Sequence, residues 1–184
     1  MYSSVDDIQI VIHGCLKNDR RAQEELYKRF YPAMMSLCLR YVRSREDAIE
    51  VLNDAFLKIF TQISRYDAAR AALYTWMRTI VINTALDSLR KQKAIRDREM
   101  RPGGEEEPGI DNEALAKLNG DELLGMIHRL PVTTRLVFNL YIVDGYAHRE
   151  IASLLSISEG TSRWHLNDAR KQLKMIINLM EPNS

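Results

Sequence analysis

Apolar residues recur at helical spacing along almost the whole chain, and the pattern predicts helices rather than strands. Val5, Ile8, Val11, Ile12 and Cys15 share one face behind a cap at Asp6 or Asp7. Asn18-Asp19 breaks that run and starts the next, where Leu26, Phe30, Ala33/Met34, Leu37 and Tyr41 align. Pro32 lies inside this run, so a kink or a boundary is expected there. From Ser44, the residues Ala48, Val51/Leu52, Ala55/Phe56, Ile59 and Ile63 form the cleanest stripe of all. A turn-rich stretch follows, Ser64-Arg65-Tyr66-Asp67. Leu73, Trp76, Met77, Ile80 and Thr84 then predict a helix to about Lys91. Together these segments predict an all-α bundle of about four helices.

The periodicity lapses over Arg101-Pro102-Gly103-Gly104-Glu105-Glu106-Glu107-Pro108-Gly109, a composition that reads as a flexible acidic linker. It resumes near Asn112, with Leu115, Leu118, Leu123/Leu124, Ile127 and Leu130 able to face a second core. Leu130-Pro131 punctuates this run. Leu136, Val137, Leu140 and Tyr141 mark a short helix closed by Asp144-Gly145, and a final helix runs from Glu159 to about Met180. The fold class expected is therefore all-α, with two small helical domains, 1–93 and 120–184, joined by a flexible acidic linker over 94–119.

Within the second domain, residues 148–171 have the shape of a helix-turn-helix. Ala152 is the small residue where helices cross, Ile151 and Leu155 face the partner helix, and Ile157 plugs the turn. Ser158 is placed to cap the second helix, and Ser156 stands where many such turns use Gly, a conformation costly for Ser. Leu166, Ala169 and Leu173 give that helix an inner stripe; Thr161, Ser162, Arg163, His165, Asn167 and Arg170 are expected outside, as hydrogen-bonding side chains suited to a major groove.

Charge sharpens this division. The 184 residues carry a formal net charge of +1, which excludes a strongly basic coat for indiscriminate nucleic-acid binding. Residues 1–93 carry +4, residues 94–122 carry −5 and residues 123–184 carry +2. Glu46, Asp47, Glu50, Asn53 and Asp54 form an acidic stripe, either the solvated side of a helix or a dock for a basic protein surface. Tyr66, Tyr74 and Trp76 lie near Arg78, Asn83, Arg90, Lys91 and Lys93. Aromatics stack on unpaired bases, an amide reads a base edge and the basic end meets phosphate, although Trp76 also suits a core.

These residues resemble a known family. The stretches Ala22–Tyr27, Glu46–Phe60 and Tyr74-Thr75-Trp76 to Asn83–Asp87 look like region two of bacterial sigma factors. Leu130-Pro131 through Ser158–Thr161 to Ala169-Arg170 looks like region four. With no recognisable region between them, the chain is similar to the extracytoplasmic-function (ECF) group. The resemblance implies a sigma factor that binds core RNA polymerase and directs promoter-specific transcription initiation. It implies that Asp47, Glu50, Asn53 and Asp54 bind the clamp helices of the largest polymerase subunit, with Asn53-Asp54 where the family commonly has Gln then Glu. It implies capture of the promoter −10 element by Tyr66, Trp76, Arg78, Asn83, Arg90 and Lys91, and reading of the −35 element by Thr161, Ser162, Arg163, His165 and Arg170. Asp168 departs from a commonly basic position, and either accepts from a cytosine amine or faces solvent. Trp164 occupies a commonly small position, and packs on DNA or on the domain itself. An anti-sigma factor is an implied partner.

An enzyme is not expected: no P-loop, dinucleotide fingerprint, HExxH or paired Cys-x-x-Cys occurs. No catalytic residue, cofactor or metal site is expected either. His13, Cys15 and Cys38 are imaginable ligands, but the two cysteines suit core packing in a reducing compartment. Met1–Asp7 carries two acids and no base, unlike a secretory signal, and no apolar stretch suits direct membrane insertion, so a cytoplasmic location is expected. The remaining rival is a free-standing helix-turn-helix regulator that binds duplex without polymerase.

Overall fold

The computed structural model describes residues 5–99 and 120–180, which fall into two units. Among the described residues all regular structure is helical, as the apolar spacing predicts.

The first unit contains α1 (Val5–Leu16), α2 (Arg20–Tyr41), α3 (Arg45–Gln62) and α4 (Leu73–Glu99), with one 3-10 turn at Ile63–Arg65. The expected break at Asn18-Asp19 is a tight reversal. Asn18 takes the left-handed conformation (φ 57°), and the Asp19 carboxylate accepts from the Arg21 N–H at 2.9 Å, capping α2. Here α1 and α2 meet at Gly14, where a Cβ would collide with that of Ala22. The boundary considered at Pro32 does not form. α2 runs through it, and Pro32 is exposed, so water can serve the carbonyl left without a donor. Ser44 caps α3, its Oγ accepting from the Asp47 N–H at 3.0 Å.

Leu26, Met34, Leu37 and Tyr41 of α2, Leu52, Ala55 and Ile59 of α3, and Met77, Val81, Ile82 and Ala85 of α4 are fully buried together. Each such leucine contributes roughly 1.5–3 kcal/mol by leaving water. α4 turns slightly from its expected face: Met77 and Val81 fill the core, while Trp76 and Ile80 are half-buried. Cys15 and Cys38 are buried thiols, and burial pushes Cys38 up to about 12, so it stays a protonated apolar side chain. The helical backbone of α4 continues to Glu99, past the end expected near Lys91 and into the segment expected as linker. The rest of that linker, with Leu115 and Leu118, lies outside the described residues.

The second unit contains α5 (Gly120–His128), α6 (Val132–Phe138), α7 (His148–Leu155) and α8 (Glu159–Met180). Met126, Leu130, Ala169 and Leu173 form a core with Phe138 and Ile176 packed against it. α6 widens into a π-helical turn at Asn139–Val143 and then ends: the Asp144 N–H donates to the Asn139 carbonyl and Gly145 turns with φ 76°. Glu150 reaches back to accept from the Ala147 N–H at 2.8 Å, starting α7. Ser156 ends α7 in the left-handed conformation (φ 55°), and Ser158 caps α8, its Oγ accepting from the Thr161 N–H at 2.9 Å. The helix-turn-helix expected over 148–171 is thus present.

Candidate functional site

Three surfaces carry the residues singled out above. On α3, Glu50, Asn53 and Asp54 are exposed on the side away from Leu52, Ala55 and Ile59. Asp47 is half-buried, and its Oδ1 accepts from Gln92 Nε2 of α4 at 3.4 Å. The Asn53 side-chain Oδ1 accepts from the Tyr27 hydroxyl of α2 at 3.4 Å. Neighbouring helices therefore hold two members of this polar face in place. Glu46 and Asp47 also complement the positive end of the helix, a structural role beside any docking. Leu57, one turn beyond Asn53, is 64% exposed in the same face. An isolated leucine carries no periodic signal, so the sequence does not mark it.

On α4, Trp76, Asn83 and Arg90 are seven residues apart. At about 100° per residue, such spacing sets them in one line along the helix. Trp76 meets Tyr66 at its upper end, with ring centroids 5.6 Å apart and planes at 51°. Asp67 organises the adjoining loop, its carboxylate accepting from the Ala69 N–H at 2.9 Å. Asn83 is exposed. Arg90 and Lys91 are exposed too, but Arg90 is paired with Asp87 at 2.6 Å, and Lys58 lies 3.7 Å from the same carboxylate. Arg78 is not on this line; it emerges half-buried about 200° around the helix from Trp76. Asp87 and Lys58 were missed, since their pairing joins positions in two helices.

On α8, Thr161, Arg163 and Arg170 are exposed as expected. Arg163 is held to Glu159 at 2.9 Å. Ser162 is a correction: it is fully buried, not on the outer face, and its Oγ lies 2.9 Å from His148 Nδ1 of α7. It belongs to the inner stripe with Leu166, Ala169 and Leu173, whose 4-3-4 spacing it continues. His165 is half-buried, with Nδ1 2.9 Å from the Thr134 hydroxyl of α6. Thr134 has one hydroxyl proton and gives it to Asp168 Oδ2 at 3.3 Å, so its oxygen accepts from the His165 ring. Gln172 Nε2 also donates to Asp168, at 2.8 Å. Asp168 is therefore tied into its own unit.

Burial pulls the His165 ring below the ordinary histidine range, opposed by the Asp168 carboxylate. Burial also lowers His148, and the Arg163 guanidinium adds to that effect. His148 stacks on Tyr141, with centroids 4.4 Å apart. At neutral pH the cations of this face are thus Arg163, Arg170, Lys171 and Lys174, without help from either histidine. Among the described residues, no group of three or more His, Cys, Asp or Glu side chains is placed to hold a metal ion.

Two family models match this chain: sigma-70 region 2 over residues 26–95 and sigma-70 region 4 over residues 120–173. The ECF RNA polymerase sigma-E factor of Escherichia coli (strain K12) is 28% identical, over 90% of this chain and 91% of its own. The sigma-E factor of Haemophilus influenzae is 27% identical, over 95% of each. Among solved structures, the sigma factor RpoE of Bartonella quintana, in complex with the anti-sigma factor NepR, superposes with a TM-score of 0.56. That match has 16% identity and covers 86% of this chain and 98% of the other. CnrH in complex with the cytosolic domain of CnrY gives 0.51 at 17% identity, covering 94% and 97%. At these identities the structural likeness is one of fold.

Proposed function

The chain belongs to the ECF sigma-70 family of sigma factors, and from that premise we propose how its two units divide the work of promoter-specific transcription initiation. The α3 face docks on the clamp helices of the largest subunit of core RNA polymerase through Asp47, Glu50, Asn53 and Asp54. The observation that carries this is the face itself: three exposed polar side chains and a held Asp47, ranged opposite a wholly apolar stripe. Negative charge gives such a dock orientation and speed of encounter with a basic partner more than raw affinity.

The aromatic pair Tyr66–Trp76, with Asn83 two turns along α4, captures unstacked bases of the −10 element. Base stacking of this kind is worth roughly 1–3 kcal/mol per base, enough to offset the cost of opening a step. Arg90 and Lys91, and Arg78 from its separate flank, bind backbone. The N-terminal half of α8 reads −35 duplex, with Thr161 toward bases and Arg163 and Arg170 toward phosphates. His165 serves as a neutral positioning group through Thr134, and Ser162 as a structural one through His148.

The chain acts as a transcription regulator, and the chemistry of RNA synthesis stays with the polymerase. Its location is cytoplasmic; no helix among the described residues is long and apolar enough to cross a membrane. An anti-sigma factor is a further partner, supported by the complexes in which the two structural relatives were solved.

Co-migration with core RNA polymerase on gel filtration tests the dock. The chain should travel with core, and an Asp47→Arg/Asp54→Arg variant should not. Binding by both would move the interface away from α3. Binding by neither, from folded protein, would favour the free-standing regulator.

A further inference from the structure

The centre of the proposed −35-reading face is held by a residue with no assigned role. Ser162, Leu166, Ala169 and Leu173 of α8 point into the core. At about 100° per residue, the positions opposite the centre of that stripe are Trp164 and, two turns further on, Lys171. Arg163, His165 and Arg170 lie on the flanks, nearer where a groove's phosphates run. Trp164 is 60% exposed. One turn before it stands Gly160, where an added Cβ would meet only the Ser158 hydroxyl, at 3.6 Å, so the helix surface there is open. Its ring is nevertheless propped: it meets His165 edge-on, with centroids 4.9 Å apart, and His165 is pinned to Thr134 at 2.9 Å. A large apolar group thus stands preset at the leading edge of the helix, beside Thr161, Asn167 and Lys171, all exposed.

We propose that Trp164 determines specificity in the −35 element by seating its indole on the C5-methyl group of one thymine. This rests on α8 being the −35 reader. In the major groove, thymine alone among the four bases presents a methyl group, so an apolar side chain there selects it over cytosine and the purines. The flanking polar side chains read neighbouring edges, and Trp164 supplies the one contact they cannot make.

The test uses holoenzyme, the full chain with core RNA polymerase, on duplexes randomised over the −35 region. Wild type should enrich a motif containing thymine. Replacing those thymines one at a time with deoxyuridine removes only the methyl group. One position should lose about fourfold in affinity, the worth of a single buried carbon. In Trp164→Ala that position should become indifferent both to deoxyuridine and to base identity, while the rest of the motif persists. A uniform loss across all sequences, with the deoxyuridine effect unchanged, would place Trp164 on sugar or backbone and overturn the proposal. So would an unchanged motif. Failure of the underlying reading looks different: no motif would be enriched at all, and Arg163→Ala would leave duplex affinity untouched.

Discussion

Among the described residues, the buried side chains of the first unit are apolar except for Thr84, whereas the second unit buries Thr134, Arg135, Asn139, Asp144 and Ser162 among its leucines. The first unit has three long helices to interlock, and apolar packing suffices to fix them. Its polar surface is then free to carry contacts with partners. The second unit sets three short helices against one long one around a smaller core, and a small core stabilises weakly. It fixes α6, α7 and α8 with directed bonds, such as Thr134 to His165 and Asp168, and His148 to Ser162. Satisfied networks of this kind specify one arrangement, and they fail when a single partner is removed. Two neighbours on one helix can then play opposite parts: Ser162 holds the unit together and Arg163 faces out.

The two units should respond differently to substitution. The largest effect is expected from Leu26→Ala in the first core, which should cost about 2–5 kcal/mol in urea unfolding. A cost below about 1 kcal/mol would mean that packing is not what holds that unit. Ser162→Ala should cost about 1–3 kcal/mol, because it strips the buried partner from His148. Arg163→Ala should stay within about 0.5 kcal/mol in stability, yet weaken duplex binding at every sequence and lower the salt slope by about one. If the two variants behaved alike, the division between the neighbours would fall. Ser156→Gly should stabilise the second unit by about 1 kcal/mol, since serine pays for the left-handed conformation. Asn18→Gly should gain less, because asparagine tolerates that conformation.

The smallest effect is on pH. His148 and His165 both sit below their ordinary value in the folded chain. The unfolded chain therefore takes up protons first as pH falls through about 6.5. The stability they lend is complete above that pH and is lost as pH drops toward the folded values. Thermal melts at pH 7.5 and 5.5 should show the loss, and His148→Gln should reduce it.

The same contrast explains what was legible in the sequence. The stripes of α2 and α3 were readable because apolar residues at helical spacing are what the first core uses. The cap at Ser158 is readable because capping is local chemistry, whereas Asn18-Asp19 and Ser44 show in the sequence only as helix starts. Ser162 shows that polarity alone does not mark exposure: its spacing from Leu166 puts it inside. Thr134 carried no signal at all: its bonds span 31 and 34 residues. The π-helical turn at Asn139–Val143 and the continuation of α4 to Glu99 leave no mark on hydrophobic period. Of the acidic face, the residues were legible, but the grip of Gln92 and Tyr27 on it was not, for it depends on three helices meeting.

Pro32, which α2 takes in its stride, has a consequence for time rather than for energy. The Tyr31–Pro32 peptide is trans in the native helix. In an unfolded chain about 10–30% of such bonds are cis, and each waits tens to hundreds of seconds to isomerise. That fraction cannot complete α2, the helix that carries Leu26, Met34, Leu37 and Tyr41 into the core. Refolding of the first unit followed by stopped flow should therefore show a slow minority phase that a prolyl isomerase quickens and Pro32→Ala removes.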